Sequence, residues 1–348
     1  DAGDAGNLLL IDPATGDWHR YIVAGSGVPL HLLPPIKGSS EQDGGLNRKW
    51  ASILDLSEAT PLVVGAADMA TAAAAGGLDT PGRLLITIGT SATALAACPA
   101  PLPVLTGKMT FHTTAGGQAF ALGSHFNGGA CLDWFHRLTG PEGSARDPFL
   151  AKLSEAVLQR APCTNGPLFF SSLLGSGTPR FDSNERGAFL GLSASHDKTD
   201  LFRAVLEGIS FDLCQSLDLL RAAGIRIDHI LAGGGGMKLG AWPQILADAA
   251  GVELRLSDME NASARGAAII GFTALGKTPK PKTAQETVFT PDPHSHSIAL
   301  AKRDHLERWC QTNPNQPLFP QSGLTQATPN SRHWTRAAPR FSHKLLRE

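Results

Sequence analysis

Asp68 closes the run Val63-Val64-Gly65-Ala66-Ala67-Asp68. Twenty-one residues later Gly89-Thr90-Ser91 interrupts a second apolar run as a tight turn. A carboxylate at a strand end can accept the proton of a substrate hydroxyl. A Gly-Thr-Ser turn can present backbone N–H groups and two hydroxyls to phosphate oxygens. Together they are parts of a phosphoryl-transfer site for a small hydroxylated substrate. A third candidate is Gly233-Gly234-Gly235-Gly236, between a strand and a helix, where bare backbone would let an adenosine lie close. It lacks the G-x-G-x-x-G spacing of a dinucleotide fold, which weighs against NAD. Local sequence alone leaves blander readings open. Asp68 would then cap the Ala-rich helix after it, Gly89–Ser91 would be an ordinary hairpin turn, and the glycines a flexible link.

The elements that must hold these residues follow from pattern. Residues 8–11 read as a short strand, 28–36 as extended and proline-broken, and 37–48 as a loop. Residues 61–66 read as a strand leading to Asp68, and 70–75 as a short helix ended by Gly76-Gly77. Residues 83–88 and 92–97 form a hairpin around Gly89-Thr90-Ser91, with 119–123 as a third strand. Helices are expected at 129–138 and 148–158, the second with Asp147 as N-cap and Pro148 at its first position. Residues 200–223 carry the clearest helical period, through Leu201, Val205, Leu206, Ile209, Leu213 and Leu217, with Gly224 as the stop. A strand at 229–232, the glycines, a helix at 241–250, a strand at 252–256 and a small-residue helix at 262–275 complete an α/β lobe with a mixed sheet.

Composition narrows the function classes. The chain has 348 residues, 42% of them hydrophobic, enough for two domains. Its 30 basic and 31 acidic residues nearly cancel, so nothing steers it to nucleic acid or a membrane surface. Cys98, Cys131, Cys163, Cys214 and Cys310 are scattered and never spaced as CxxC, which predicts neither a disulfide framework nor structural zinc. The same scatter of cysteines points to a reducing cytosol, and with no signal peptide or apolar run of spanning length the expectation is a soluble, cytoplasmic protein. His125, Asn127 and Asp133 lie close in sequence but on different elements, so no dedicated metal site is expected there.

Residues 187–207, Gly-Ala-Phe-Leu-Gly-Leu-Ser-Ala-Ser-His-Asp-Lys-Thr-Asp-Leu-Phe-Arg-Ala-Val-Leu-Glu, resemble the second signature of the FGGY carbohydrate kinases. Gly65–Gly77, Gly89-Thr90-Ser91, Leu173–Pro179, Gly233–Gly251 and Glu260–Ala268 resemble other segments of that family, in the same order. The resemblance implies an actin-like, ribonuclease-H-type fold of two lobes, with ATP and sugar in the cleft between them. It implies that Asp68 is the general base. It also implies that Gly89, Thr90 and Ser91 hold the β/γ-phosphates, and that Gly234, Gly235, Gly236 and Lys238 contact the nucleotide. ATP with Mg2+ is the implied cofactor and a small carbohydrate the implied partner; a homodimer is left open.

This sequence departs from the family at three places. Met69 stands where Asn or Gln is usual, Leu239 where Ser is common, and Gly175-Ser176-Gly177-Thr178-Pro179 where xylulokinases carry Gly-Glu-Arg-x-Pro. No segment resembles the family's opening Asp-x-Gly-Thr hairpin. The expectation is therefore the end of an N-terminal lobe in residues 1–82, a complete C-terminal lobe in 83–310, and a disordered tail in 311–348. A remnant that binds nucleotide without transferring phosphate, or an actin-like ATPase without a sugar substrate, stand as alternatives.

Overall fold

The computed structural model describes residues 1–12, 15–99, 102–257, 261–277 and 287–312. Up to residue 81 the elements are short: α1 (Ala2–Asn7), β1 (Ile11–Asp12), β2 (Asp17–Trp18), α2 (Arg20–Ser26), β3 (Gln42–Gly45), α3 (Arg48–Leu54), β4 (Pro61–Val63) and α4 (Asp68–Ala75). Then come β5 (Gly82–Ile88), β6 (Ala92–Ala97), β7 (Thr110–Thr113), β8 (Ala119–His125), α5 (Gly129–Thr139) and α6 (Arg146–Leu158). The hairpin strands β9 (Leu168–Phe170) and β10 (Ala188–Leu190) precede α7 (Lys198–Ala222). The remainder is β11 (Ile227–Gly233), α8 (Trp242–Ala250), β12 (Glu253–Leu256), α9 (Ala262–Ala274), β13 (Thr287–Phe289) and α10 (Pro293–Thr312).

The central sheet has seven strands in the order β13-β12-β11-β5-β6-β8-β7. β5, β11 and β12 run parallel, while β6, β8, β7 and β13 join antiparallel. Alternation along β5 decides its two faces. Leu84, Ile86 and Ile88 enter the larger core with α5, α6, α7 and α8. Leu85 points the other way, into a cluster with Ala73 of α4, Leu95, Phe120 and Leu231. A strand buried on both faces reads as an unbroken apolar run, which is why Leu-Leu-Ile-Thr-Ile shows no polar alternation. α9 lies along α4, and a Cβ on Gly266 would stand 1.7 Å from the Thr71 carbonyl oxygen, so only glycine allows this approach.

Several expectations are corrected. The strand read at 8–11 is confined to Ile11–Asp12, because α1 runs to Asn7 and Leu9 turns the chain at φ 57°. The strand at 61–66 ends at Val63, and the loop at 37–48 contains β3. α6 begins at Arg146, so Asp147 is no N-cap and Pro148 is not its first residue; Asp147 instead accepts from Arg146 Nη1 at 2.6 Å. α10, β7, β9, β10 and β13 had no counterpart in the pattern. The tail expected at 311–348 falls, beyond Thr312, outside the described residues.

The start of α7 lies earlier than read, at Lys198, and Asp197 is the cap that sets it. Its carboxylate accepts from the N–H groups of Thr199 and Asp200, and the Asp200 side chain returns a bond to the Asp197 N–H. The Arg160 guanidinium also bonds Asp197, and with those N–H groups it holds the carboxyl well below its ordinary value. A depressed carboxyl stabilises the fold above the unfolded-state pKa and loses that contribution as pH falls. Asp197→Ala is therefore expected to cost about 1 kcal/mol at neutral pH. The gap to the parent should close as pH drops below about 4, read by urea unfolding at each pH. A gap of constant size from pH 7 to pH 2 would refute the linkage.

Candidate nucleotide and phosphoryl-transfer site

Gly89-Thr90-Ser91 joins β5 to β6, whose ladder closes at Ile88 opposite Ala92. The turn is tied internally by the Gly89 N–H, which donates to the Ser91 carbonyl at 2.9 Å. Both hydroxyls are exposed and carry no hydrogen bond among the described residues. The turn is held from behind by residues that sequence reasoning missed. The N–H groups of Gly128 and Ala130 donate to the Thr90 carbonyl, and that of Gly129 to the Gly89 carbonyl at 2.7 Å. A Cβ on Gly128 would lie 2.7 Å from the Ser91 carbonyl carbon, so the start of α5 seats directly on the turn. The available signal was Asn-Gly-Gly between a strand and a helix.

The glycine segment stands beside this turn. Parallel pairing sets Gly233 opposite Thr87, so β11 and β5 deliver their following loops to the same end of the sheet, beyond the C-terminal ends of two central strands. Gly234 has φ 95°, and a Cβ there would lie 2.5 Å from the Ile88 carbonyl oxygen. Gly236 is equally confined by the Ile88 side chain and Trp242, whereas a Cβ on Gly235 would meet nothing within 4 Å. Lys238 closes the short 3-10 turn and is exposed. The structure thus brings the two glycine loops together, with Gly235, Thr90 and Ser91 exposed.

Asp68 is the first residue of α4, with Ala67 as the N-cap. It is exposed; one carboxylate oxygen accepts from the Met69 N–H at 2.7 Å, and no other side-chain partner occurs among the described residues. Its carbonyl accepts from Thr71 Oγ1 and from Ser263 Oγ on α9. A cavity of about 610 Å³ opens between α4, the start of α9 and the β5–β6 hairpin, lined by Met69, Ala72, Gly89, Ser91 and Ser263 among others. Asp68 lines a smaller cavity of about 50 Å³ with Gly3, Asn7 and His112, and Met69 borders both. Met69 also packs on the sheet beside Ala73 and Leu85, an apolar role that Asn or Gln would fill poorly. Burial holds His112 below its ordinary value, favouring the neutral imidazole.

Other polar side chains near these segments bond within the fold. Asn127 bonds the Gly175 carbonyl and the Leu174 N–H, and Asp133 pairs with Arg146, so they do not converge with His125. Gln244 binds Asp248 and the Thr290 carbonyl. Glu207 lies 3.8 Å from Arg203, but its close partner is Lys302 of α10 at 2.6 Å. All five cysteines are free, and burial pushes the Cys131 thiol up to about 12.

A seven-stranded mixed sheet flanked by helices on both faces, with two glycine loops at one end of its central parallel strands, is a lobe of the actin-like kind. Residues 84–275 match the model of the FGGY family of carbohydrate kinases, C-terminal domain, and the chain belongs to that family. It is 31% identical over 274 residues to the xylulose kinase of Bacillus subtilis, which covers 78% of this chain and 54% of that one. A crystal structure of a xylulose kinase from Brucella ovis superposes with a TM-score of 0.78 at 26% identity, over 90% of this chain and 64% of that one. The gluconate kinase of Lactobacillus acidophilus shares the fold, with a TM-score of 0.77 at 20% identity, over 87% and 62% of the two chains. The chain spans about half the length of the curated relatives it matches.

Proposed function

We propose that the chain is the nucleotide-binding part of a kinase that moves the γ-phosphoryl group of ATP, with Mg2+, to a hydroxyl of a sugar, sugar acid or polyol. The observation that carries this is the β5–β11 pairing, which sets Gly89-Thr90-Ser91 beside Gly234–Gly236 with Thr90 and Ser91 exposed. In this reading residues 1–82 end the N-terminal lobe and 83–310 form the C-terminal one. Bound MgATP supplies the electrophilic phosphorus. Thr90 and Ser91 hold its terminal phosphates through hydroxyl and N–H groups, and Gly234–Gly236 and Lys238 receive the nucleoside end. Asp68 accepts the acceptor hydroxyl's proton and aligns its oxygen for attack. Apolar side chains exposed between residues 8 and 62, such as Leu9, Tyr21, Leu32 and Ile53, support association into a homodimer.

One observation favours a second reading, in which the chain binds nucleotide without transferring phosphate. The cavity that Asp68 lines, about 50 Å³, has room for a water or two rather than a sugar. Calorimetry with ADP and an assay of ADP release with xylulose, gluconate or glycerol separate the readings. ADP binding with sugar-stimulated turnover above about one per second supports the kinase. ADP binding without turnover supports the second reading, and no ADP binding refutes both.

A further inference from the structure

His125, Asp212 and Ser216 form a buried array that the phosphoryl-transfer reading does not use. His125 ends β8 and is 1% exposed. Its Nε2 is hydrogen-bonded to Ser216 Oγ at 2.8 Å, while its Nδ1 lies 3.3 Å from Asp212 Oδ2 without forming a hydrogen bond. The two partners are four apart on α7 and share one face of it. The order Asp, His, Ser is that of a hydrolytic triad, but Ser216 is 0% exposed and lines neither cavity, so no substrate carbonyl can reach it. The tightness is deliberate on both sides: a Cβ on Gly123 would lie 2.0 Å from Ser216 Oγ.

The array grips a short segment held from two further directions. Ser124 exchanges two bonds with Thr178, its N–H donating to Thr178 Oγ1 and its carbonyl accepting from the Thr178 N–H. Asn127 clamps Leu174 and Gly175. The same strand of chain then continues into Gly128, Gly129 and Ala130, whose N–H groups hold the Gly89-Thr90-Ser91 turn. Close-packed contacts of this kind pass a displacement of a few tenths of an ångström onward instead of absorbing it.

We propose that His125 is a positioning residue for the phosphate turn, fixing its donors through the Ser124–Gly129 segment. This rests on the reading of that turn as a phosphate site. ADP affinity and urea unfolding are measured on the full chain and on His125→Ala and His125→Gln. His125→Ala is expected to weaken ADP binding about 10-fold, within the range seen for residues that couple to a site without touching the ligand. His125→Gln, whose amide reaches Ser216 from nearly the position of Nε2, is expected to recover most of that loss. A role confined to folding would lower the unfolding midpoint and leave the folded protein's ADP affinity unchanged, which overturns the proposal. If His125→Ala does not fold, Ser216→Ala serves in its place, with unchanged ADP affinity again overturning it. A parent chain that binds no ADP overturns the phosphate-site reading itself, whereas a parent that binds ADP with indifferent variants overturns only the role of His125.

Discussion

Asp68→Asn is expected to lower sugar-stimulated ADP release by roughly 10²-fold or more, on the order of losing a general base. The substitution is a clean one. The Met69 N–H bond to the side-chain oxygen at 2.7 Å can be kept by an amide carbonyl, and the backbone bonds from Thr71 and Ser263 do not involve the side chain. The start of α4 should therefore hold its shape while the proton acceptor is lost. KM for ATP should hardly change, because the nucleotide would be gripped by the loops after β5 and β11 and not by α4. The assay applies to this chain or to one that includes the further length its relatives carry. Near-normal turnover in the Asn variant would remove Asp68 from the chemistry and return it to a helix-start role.

The second large effect concerns the pair that fastens α10. Glu207 and Lys302 meet at 2.6 Å with side chains 9% and 3% exposed. Removing one partner leaves the other charge buried, and such losses run to about 3–5 kcal/mol. Lys302→Met should approach that figure, reduced somewhat by Arg203, which stands 3.8 Å from the other Glu207 oxygen. Replacing both residues, as Glu207→Leu with Lys302→Met, should regain most of the loss, since a well-packed apolar pair often equals a buried ion pair. Urea unfolding of the two single variants and the double variant reads this directly. A Lys302→Met midpoint equal to the parent's would mean that the pair contributes little.

That pair also explains where sequence reading stopped. α7 was legible because its leucines recur at the helical period and Gly224 stops it. The β5–β6 hairpin was legible because two apolar runs flank one turn. α10 was not: its inward apolar residues Ile298, Ala299, Leu306 and Trp309 are few and are interrupted by Lys302, so its deepest anchor is an ammonium group. α1 reads against its own composition, with glycines at positions 3 and 6, and is started by Asp1 accepting from the Asp4 N–H. β7 is a four-residue edge strand, too short for alternation to show. At the site, Asp68, Gly89–Ser91 and Gly234–Gly236 could be picked out because each interrupts a regular pattern. Gly128 and Gly129 could not be ranked, because their value lies in a backbone contact with residues some forty positions earlier.

The contact of α4 with α9 bears on how this chain can be divided. Gly266 admits the Thr71 carbonyl, Ser263 bonds the Asp68 carbonyl, and Gln42 reaches the Ala274 carbonyl. The candidate base is thus set in place by residues nearly two hundred positions further along. A cut at residue 82 respects the order of the chain but severs a packed unit. Anyone recombining parts among these kinases should exchange α4 and α9 together, as one inheritance split across two stretches of gene.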